Sequence, residues 1–154
     1  RHHRPRSPKL FEPDLMDILW PMLTQVGLTL VVVLWLAYTR FSYIGKHGLS
    51  KVRDEGFPPR AINASDNFKN QFEVPVLFYV ICITLALIGG ANALALGLAW
   101  GFVALRIVYA CIQLGPNVIF PWRFGAFFSS TIVLIALFAV TVTLLLAYLS
   151  EYPA

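Results

Sequence analysis

Hydrophobic positions along this chain come in long blocks, and polar residues are confined between them. No Asp, Glu, Lys or Arg occurs over residues 74–105 or over residues 124–150. A helix crosses about 30 Å of hydrocarbon with about 20 apolar residues, so both blocks are long enough to span a bilayer. A third block covers residues 18–38, between Asp17 and Arg40. Its run Val31-Val32-Val33-Leu34-Trp35-Leu36-Ala37 is apolar all round, as helices facing lipid are. Trp20, Tyr38 and Tyr43 fall near its edges, where amphipathic rings prefer the headgroup level. Thr24, Gln25 and Thr29 interrupt the early turns, so one face is expected to meet other helices.

The charge-free block at 74–105 is too long for one crossing, since as a single helix it would extend roughly 48 Å. Gly89-Gly90-Ala91-Asn92 lies at its middle, and a Gly-Gly pair followed by Asn is a turn signal. The block therefore divides into a second helix over 65–88 and a third over 93–114, antiparallel neighbours joined by a tight link. Before the second helix, residues 45–71 are polar, and Pro58-Pro59 is expected to forbid helix there, with Asn63 or Ser65 as the cap that restarts it. Gly115-Pro116-Asn117 ends the third helix, and Pro121 precedes a fourth over 122–150. The expectation is an all-α integral membrane four-helix bundle forming one domain over 18–154, preceded by a basic arm at 1–17.

Composition agrees. The 154 residues are 58% hydrophobic and 13% charged, with a mean hydropathy of +0.69, whereas soluble domains carry roughly a quarter of their residues as charges. Too little polar surface exists to cover a water-facing exterior. The net charge is +4, but no large hydrophilic domain is present to carry a nucleic-acid surface, so membrane lipids or a small anion are the expected partners. Cys82 and Cys111 lie in apolar segments and behave as small hydrophobes, implying neither a disulfide nor a metal site; His2, His3 and His47 lack ligand spacing. The arm, Arg1-His2-His3-Arg4-Pro5-Arg6-Ser7-Pro8-Lys9, is too polar for a secretory signal core and fits either a plain basic arm or the remainder of an Arg-rich organelle presequence.

Four crossings place both termini on one face. The opposite face receives Arg40, Lys46, Lys51, Arg53, Arg60, Lys69 and Arg123. The positive-inside rule then puts the long polar segment in the cytoplasm or the mitochondrial matrix, with the termini non-cytoplasmic, in a bacterial or mitochondrial inner membrane.

Candidate chemistry centres on Arg106, about two turns inside the third helix. A charge at that depth is expensive and faces protein, water or a ligand. Asn63, Asn67, Asn70 and Glu73 recur at spacings of one helical face, as do Arg106, Tyr109 and Gln113, while Arg123 opens the fourth helix. An ion pair between Glu73 and Arg106 is geometrically open to the chain. Such a pocket suits a small anion with amide groups. The same residues could equally serve only to glue helices, with Arg106 snorkelling to the interface. Gly97-x-x-x-Gly101 allows close helix approach, and the hydroxyls of Ser129, Ser130 and Thr131 are expected to bond back to their own helix.

The order Asn70-x-x-Glu73, Pro75, Arg106-x-x-Tyr109 and Arg123 resembles the MAPEG family, the membrane-associated proteins in eicosanoid and glutathione metabolism. Residues 67–79 look particularly like its bacterial branch, and the similarity covers most of the chain after the arm. The resemblance implies a homotrimer of four-helix subunits that binds glutathione between neighbours. It assigns glutathione binding to Asn70, Glu73, Arg106 and Tyr109, with Gln113 where the family has a second Tyr, and thiolate stabilisation to Arg123. Lys69 also departs from the family, standing where some members carry Arg. Two functions follow: a glutathione-dependent transferase or peroxidase acting on lipophilic substrates, or a non-catalytic subunit of a larger respiratory or photosynthetic membrane complex.

Overall fold

The computed structural model describes residues 17–115 and 119–151. The basic arm and the Pro116-Asn117 turn lie outside the described residues. Five α-helices follow in chain order: α1 (Leu19–Glu55), α2 (Pro59–Asn70), α3 (Val74–Leu87), α4 (Ala93–Leu114) and α5 (Phe124–Glu151), with a wide π turn at Ile119–Arg123 leading into α5. Helices α2 and α3 together make one crossing, so 4 spans are long and apolar enough to cross a membrane. The protein is an all-α, multi-pass integral membrane four-helix bundle.

The link between the second and third spans is where the glycines place it. Gly89 adopts φ 65°, a left-handed conformation open to Gly without a Cβ penalty. The Asn92 side chain then accepts a hydrogen bond from the Ala95 N–H at 2.9 Å, capping α4.

Three expectations about the polar segment need correction. The first helix does not end near Tyr38 but continues to Glu55, broken only at Gly48 (φ 79°, ψ 162°). Loss of hydrophobicity there marks the exit from the apolar layer, not the end of helical backbone. Past Gly48 the chain doubles back: the Phe57 ring lies 6.4 Å from that of Tyr43, and the Arg40 guanidinium sits 5.0 Å over Phe57. Nor do the paired prolines forbid helix. Pro59 is the first residue of α2, with Pro58 as an extended N-cap, and neither Asn63 nor Ser65 caps anything. At the first position the missing N–H is one that no helix would use, and the fixed φ of proline favours the turn. Pro121 precedes the last helix as expected, within the π turn that leads into it.

The second span also breaks where one continuous helix was expected. Pro75 occupies the second position of α3. It cannot donate to the carbonyl four residues back, and its ring would collide with that carbonyl. The chain therefore leaves the helix at Gln71–Glu73, where the Phe72 N–H bonds to the Lys69 carbonyl at 2.9 Å in a tighter turn.

An apolar core fills the half of the bundle nearer the Gly89–Gly90 link. Phe78, Ile81, Cys82 and Leu85 of α3 pack there against Ala95, Ala99, Phe102 and Val103 of α4 and Leu134 and Leu137 of α5. Phe78 and Phe102 stack with centroids 4.5 Å apart, an offset geometry that adds to burial. Gly101 faces Val133 at ordinary contact distance, while Gly97 faces open space, so the Gly-x-x-x-Gly spacing does not draw two helices of this chain together along its length.

The other half is held by side-chain hydrogen bonds. Gln25 Nε2 of α1 donates to Gln71 Oε1 at 2.9 Å, Gln71 Nε2 donates to Asn67 Oδ1 at 2.8 Å, and Asn67 Nδ2 reaches the Ala110 carbonyl of α4 at 3.4 Å. All three side chains are buried, and the relay joins three spans. Gln71 is its middle member, accepting and donating at once. Gln71→Leu should therefore destabilise the bundle by about 1–2 kcal/mol, because two buried partners lose their bonds. Gln25→Leu should cost no more than about 0.6 kcal/mol, since it strands only one acceptor and removes an Oε1 that already lacks a partner. Reversible unfolding in mixed detergent micelles would measure both.

Candidate functional site

Arg106 is the largest fully buried side chain among the described residues. Its Nη2 donates to the backbone carbonyl of Asn70 at 2.8 Å. That carbonyl is available because the break forced by Pro75 removes its helical donor. The expected Glu73–Arg106 ion pair is absent: no carboxylate lies within salt-bridge distance of Arg106 among the described residues, and Glu73 is exposed at the N-cap of α3. Snorkelling is also excluded, since Arg106 is 0% exposed. Its guanidinium carbon sits 5.0 Å over the Tyr109 ring, within reach of cation–π attraction.

The expected polar faces meet only in part. Asn70 Nδ2 donates to the Tyr109 hydroxyl at 2.7 Å and approaches Gln113 Oε1 at 3.4 Å. This joins α2 to α4 through three of the residues the sequence singles out. Glu73 leaves the stripe because the helix carrying Asn67 and Asn70 ends before it. Asn67 turns instead to the Gln25–Gln71 relay.

Beside this cluster opens a cleft of about 300 Å³ lined by Asn70, Tyr109, Arg123, Phe124 and Phe127. Asn70 arrives from the last turn of α2 and Tyr109 from α4, while the π turn delivers Arg123 and the first turn of α5 brings Phe124 and Phe127. Tyr109 and Phe127 have ring centroids 5.9 Å apart. Of the six residues expected at the site, Asn70, Tyr109 and Arg123 line the cleft. Arg106 and Gln113 are fully buried behind it, and Glu73 is not among its lining residues. Arg106 Nε and Nη1 and Gln113 Nε2 are buried with no acceptor among the described residues. Phe127 was missed by sequence reasoning, although it follows Arg123 by four residues and so shares its helical face.

The cleft can hold an anionic group against the guanidinium of Arg123, an amide against Asn70, and an apolar moiety between the rings. The hydroxyls near it are internal: Ser130 and Thr131 both donate to the Phe127 carbonyl, at 2.8 and 3.0 Å.

Because the Pro75 break creates the acceptor that Arg106 uses, the two residues should be energetically coupled. Arg106→Leu alone should lose about 1–3 kcal/mol, the penalty for a stranded buried carbonyl. In Pro75→Ala the ladder can continue through Asn70 and satisfy that carbonyl. The double variant should therefore be more stable than the sum of the singles by about 0.5–3 kcal/mol. Simple additivity in detergent unfolding would show that the bond and the break are unrelated.

Neither a search of curated proteins nor one of solved structures finds a match. The profile of the MAPEG family, however, matches residues 18–143. That match covers far more than half of the chain, reaches into all four spans and includes every residue of the cleft, and the protein belongs to the MAPEG family.

Proposed function

We propose that the protein is a glutathione-dependent membrane transferase or peroxidase acting on lipophilic electrophiles, and that it works as a homotrimer with its basic face in the cytoplasm or matrix. The observation that carries this reading is the convergence of Asn70, Tyr109 and Arg123 on one cleft, backed by three buried nitrogen atoms of Arg106 and Gln113 that have no acceptor among the described residues. Buried donors are almost always paired, and helix glue alone gives no reason to leave three of them open.

The residues fit glutathione's chemistry. It carries two carboxylates, an ammonium, two amides and a thiol. Arg123 and Arg106 supply positive charge, Asn70 offers an amide donor and acceptor, and exposed Glu73 is a carboxylate suited to an ammonium. A single-chain cleft of about 300 Å³ stands at the small end of ligand sites, which supports a site completed by a neighbouring subunit. Gln113 in place of a tyrosine keeps a hydrogen-bonding group there and loses the stacking face. Bound glutathione supplies the sulfur nucleophile. The part of the chain is to hold the peptide and to favour the thiolate, since a guanidinium near a thiol lowers its pKa. In transfer the sulfur bonds to the electrophilic carbon, the leaving group departs with its electron pair, and the thiol proton passes to solvent. Lipophilic acceptors reach the Phe124 and Phe127 rings from the bilayer.

The second reading, a non-catalytic subunit of a larger complex, draws on the bonds already made: Asn70 to Tyr109 at 2.7 Å and Arg106 to Asn70 at 2.8 Å tie two spans together without any ligand.

Arg123→Gln should reduce turnover of a chloronitroaromatic acceptor by about a hundredfold, the scale for removing one donor that stabilises a reacting anion, with little change in glutathione affinity. Asn70→Ala should instead weaken binding measured by calorimetry on the detergent-solubilised protein. Absence of saturable binding by the folded native protein at and above about 1 mM, where association is worth only about 4 kcal/mol, would favour the structural subunit. Light scattering of the purified protein should return the mass of three chains.

A further inference from the structure

A second, larger cleft lies on a different face of the bundle. It has a volume of about 740 Å³ and is bounded by α1, the start of α2 and the end of α4. Its walls are mostly apolar, with Val31, Leu34 and Trp35 contributed by α1 and Cys111 and Leu114 by α4. Val31 and Leu34 are more than 60% exposed. The cleft continues past Tyr38 and Arg60 into a polar one of about 270 Å³, which those two residues also line, and which adds Ser42, Lys46 and His47. Among the described residues no Asp or Glu lines either part.

We infer that this composite groove binds one phospholipid of the surrounding bilayer with an anionic headgroup. The polarity runs in the order such a molecule requires. From Val31 to Lys46 the groove follows α1 for roughly 22 Å at helical rise, passing from aliphatic residues through Trp35 and Tyr38, the rings of a membrane interface, to hydroxyls and cations. Charge complementarity favours an anionic headgroup. The acids nearby are engaged elsewhere: Lys51 pairs with Glu55 at 3.7 Å, Arg53 with Asp54 at 3.4 Å, and Lys69 with Asp66 at 3.7 Å. None of the ion pairs among the described residues uses Lys46 or Arg60. Arg60 instead lies 5.1 Å over the Trp35 ring, which fixes its charge at the junction of the two clefts. This site is separate from the Asn70–Arg123 cleft and does not depend on the function proposed there.

Native mass spectrometry of the intact, detergent-solubilised oligomer, titrated with dioleoylphosphatidylglycerol or dioleoylphosphatidylcholine, tests the assignment. One phosphatidylglycerol per chain should bind with a preference on the order of tenfold over phosphatidylcholine, given the attraction of each cation for anionic lipid. Lys46→Gln/Arg60→Gln should abolish the preference without changing the oligomer mass. Cys111→Phe, which takes up space in the apolar cleft, should weaken binding of both lipids. Equal binding of the two lipids by the native protein, or a preference that survives the double variant, overturns the proposal. A fall in oligomer mass in the double variant overturns it too, because the groove is then a contact between copies of this chain.

Discussion

The bond from the Arg106 guanidinium to the carbonyl of Asn70 is the constraint around which the polar half of this bundle is organised. In hydrocarbon no water completes an unsatisfied backbone group, so every break in a helix needs a partner from within the protein. Pro75 makes such a break, and Arg106 answers it. The requirement runs both ways, because a buried guanidinium is costly and the Asn70 carbonyl gives it an acceptor. Satisfying the carbonyl also fixes the neighbourhood. Arg106 pins the end of α2 against α4, which sets Asn70 within 2.7 Å of Tyr109 and leaves one wall of a cleft facing the first turn of α5.

The two halves of the bundle are stabilised by different physics. Around Phe78 and Phe102 the helices meet through close packing of apolar side chains. Lipid tails are as apolar as those side chains, so the gain there comes from packing, not from escape from water. Around Arg106 the helices meet through directed bonds: the Gln25–Gln71–Asn67 relay and the Asn70–Tyr109 contact. Directed bonds specify a geometry that apolar packing alone leaves adjustable. A site that must place an amide, a phenol and a guanidinium around one small volume belongs in the half where geometry is specified.

The fold was largely legible because its signals are collective. Long charge-free blocks, the Gly89-Gly90-Ala91-Asn92 turn and the span from Ala93 to Leu114 each rest on many residues or on strong local chemistry. What escaped was decided by context. Residues 45–55 are polar enough to leave the membrane, yet polarity does not oppose helix, and they remain helical on either side of Gly48. Pro58-Pro59 reads as a breaker only if its position in the helix is unknown; at the start it is a helix former. Glu73 keeps the spacing of the Asn67–Asn70 face, but spacing assumes an unbroken helix, and Pro75 two residues on removes that assumption. Asn70, Tyr109 and Arg123 were identifiable as polar positions of a resembling family. That Arg106 would bond a backbone carbonyl was not identifiable, because a carbonyl has no letter in the sequence.

Thin bundles leave little interior, and this shapes where function can lie. The spans of α1 and α5 are less buried within this chain than the two middle spans are, so each outer helix offers only one narrow stripe to the rest of its own chain. Polar chemistry is then confined to seams in which an outer helix meets the middle pair. The first turn of α5 forms one seam with α2 and α4, holding Asn70, Tyr109 and Arg123. Another is formed by α1 with the same two helices, where Trp35 meets Arg60. Both lie toward the ends of α4 and α5 that face the polar segment, and both place a guanidinium beside aromatic rings. The likeness has a common cause: at the depth where hydrocarbon gives way to headgroups, Arg beside an aromatic ring is the arrangement that satisfies a cation and an apolar neighbour together.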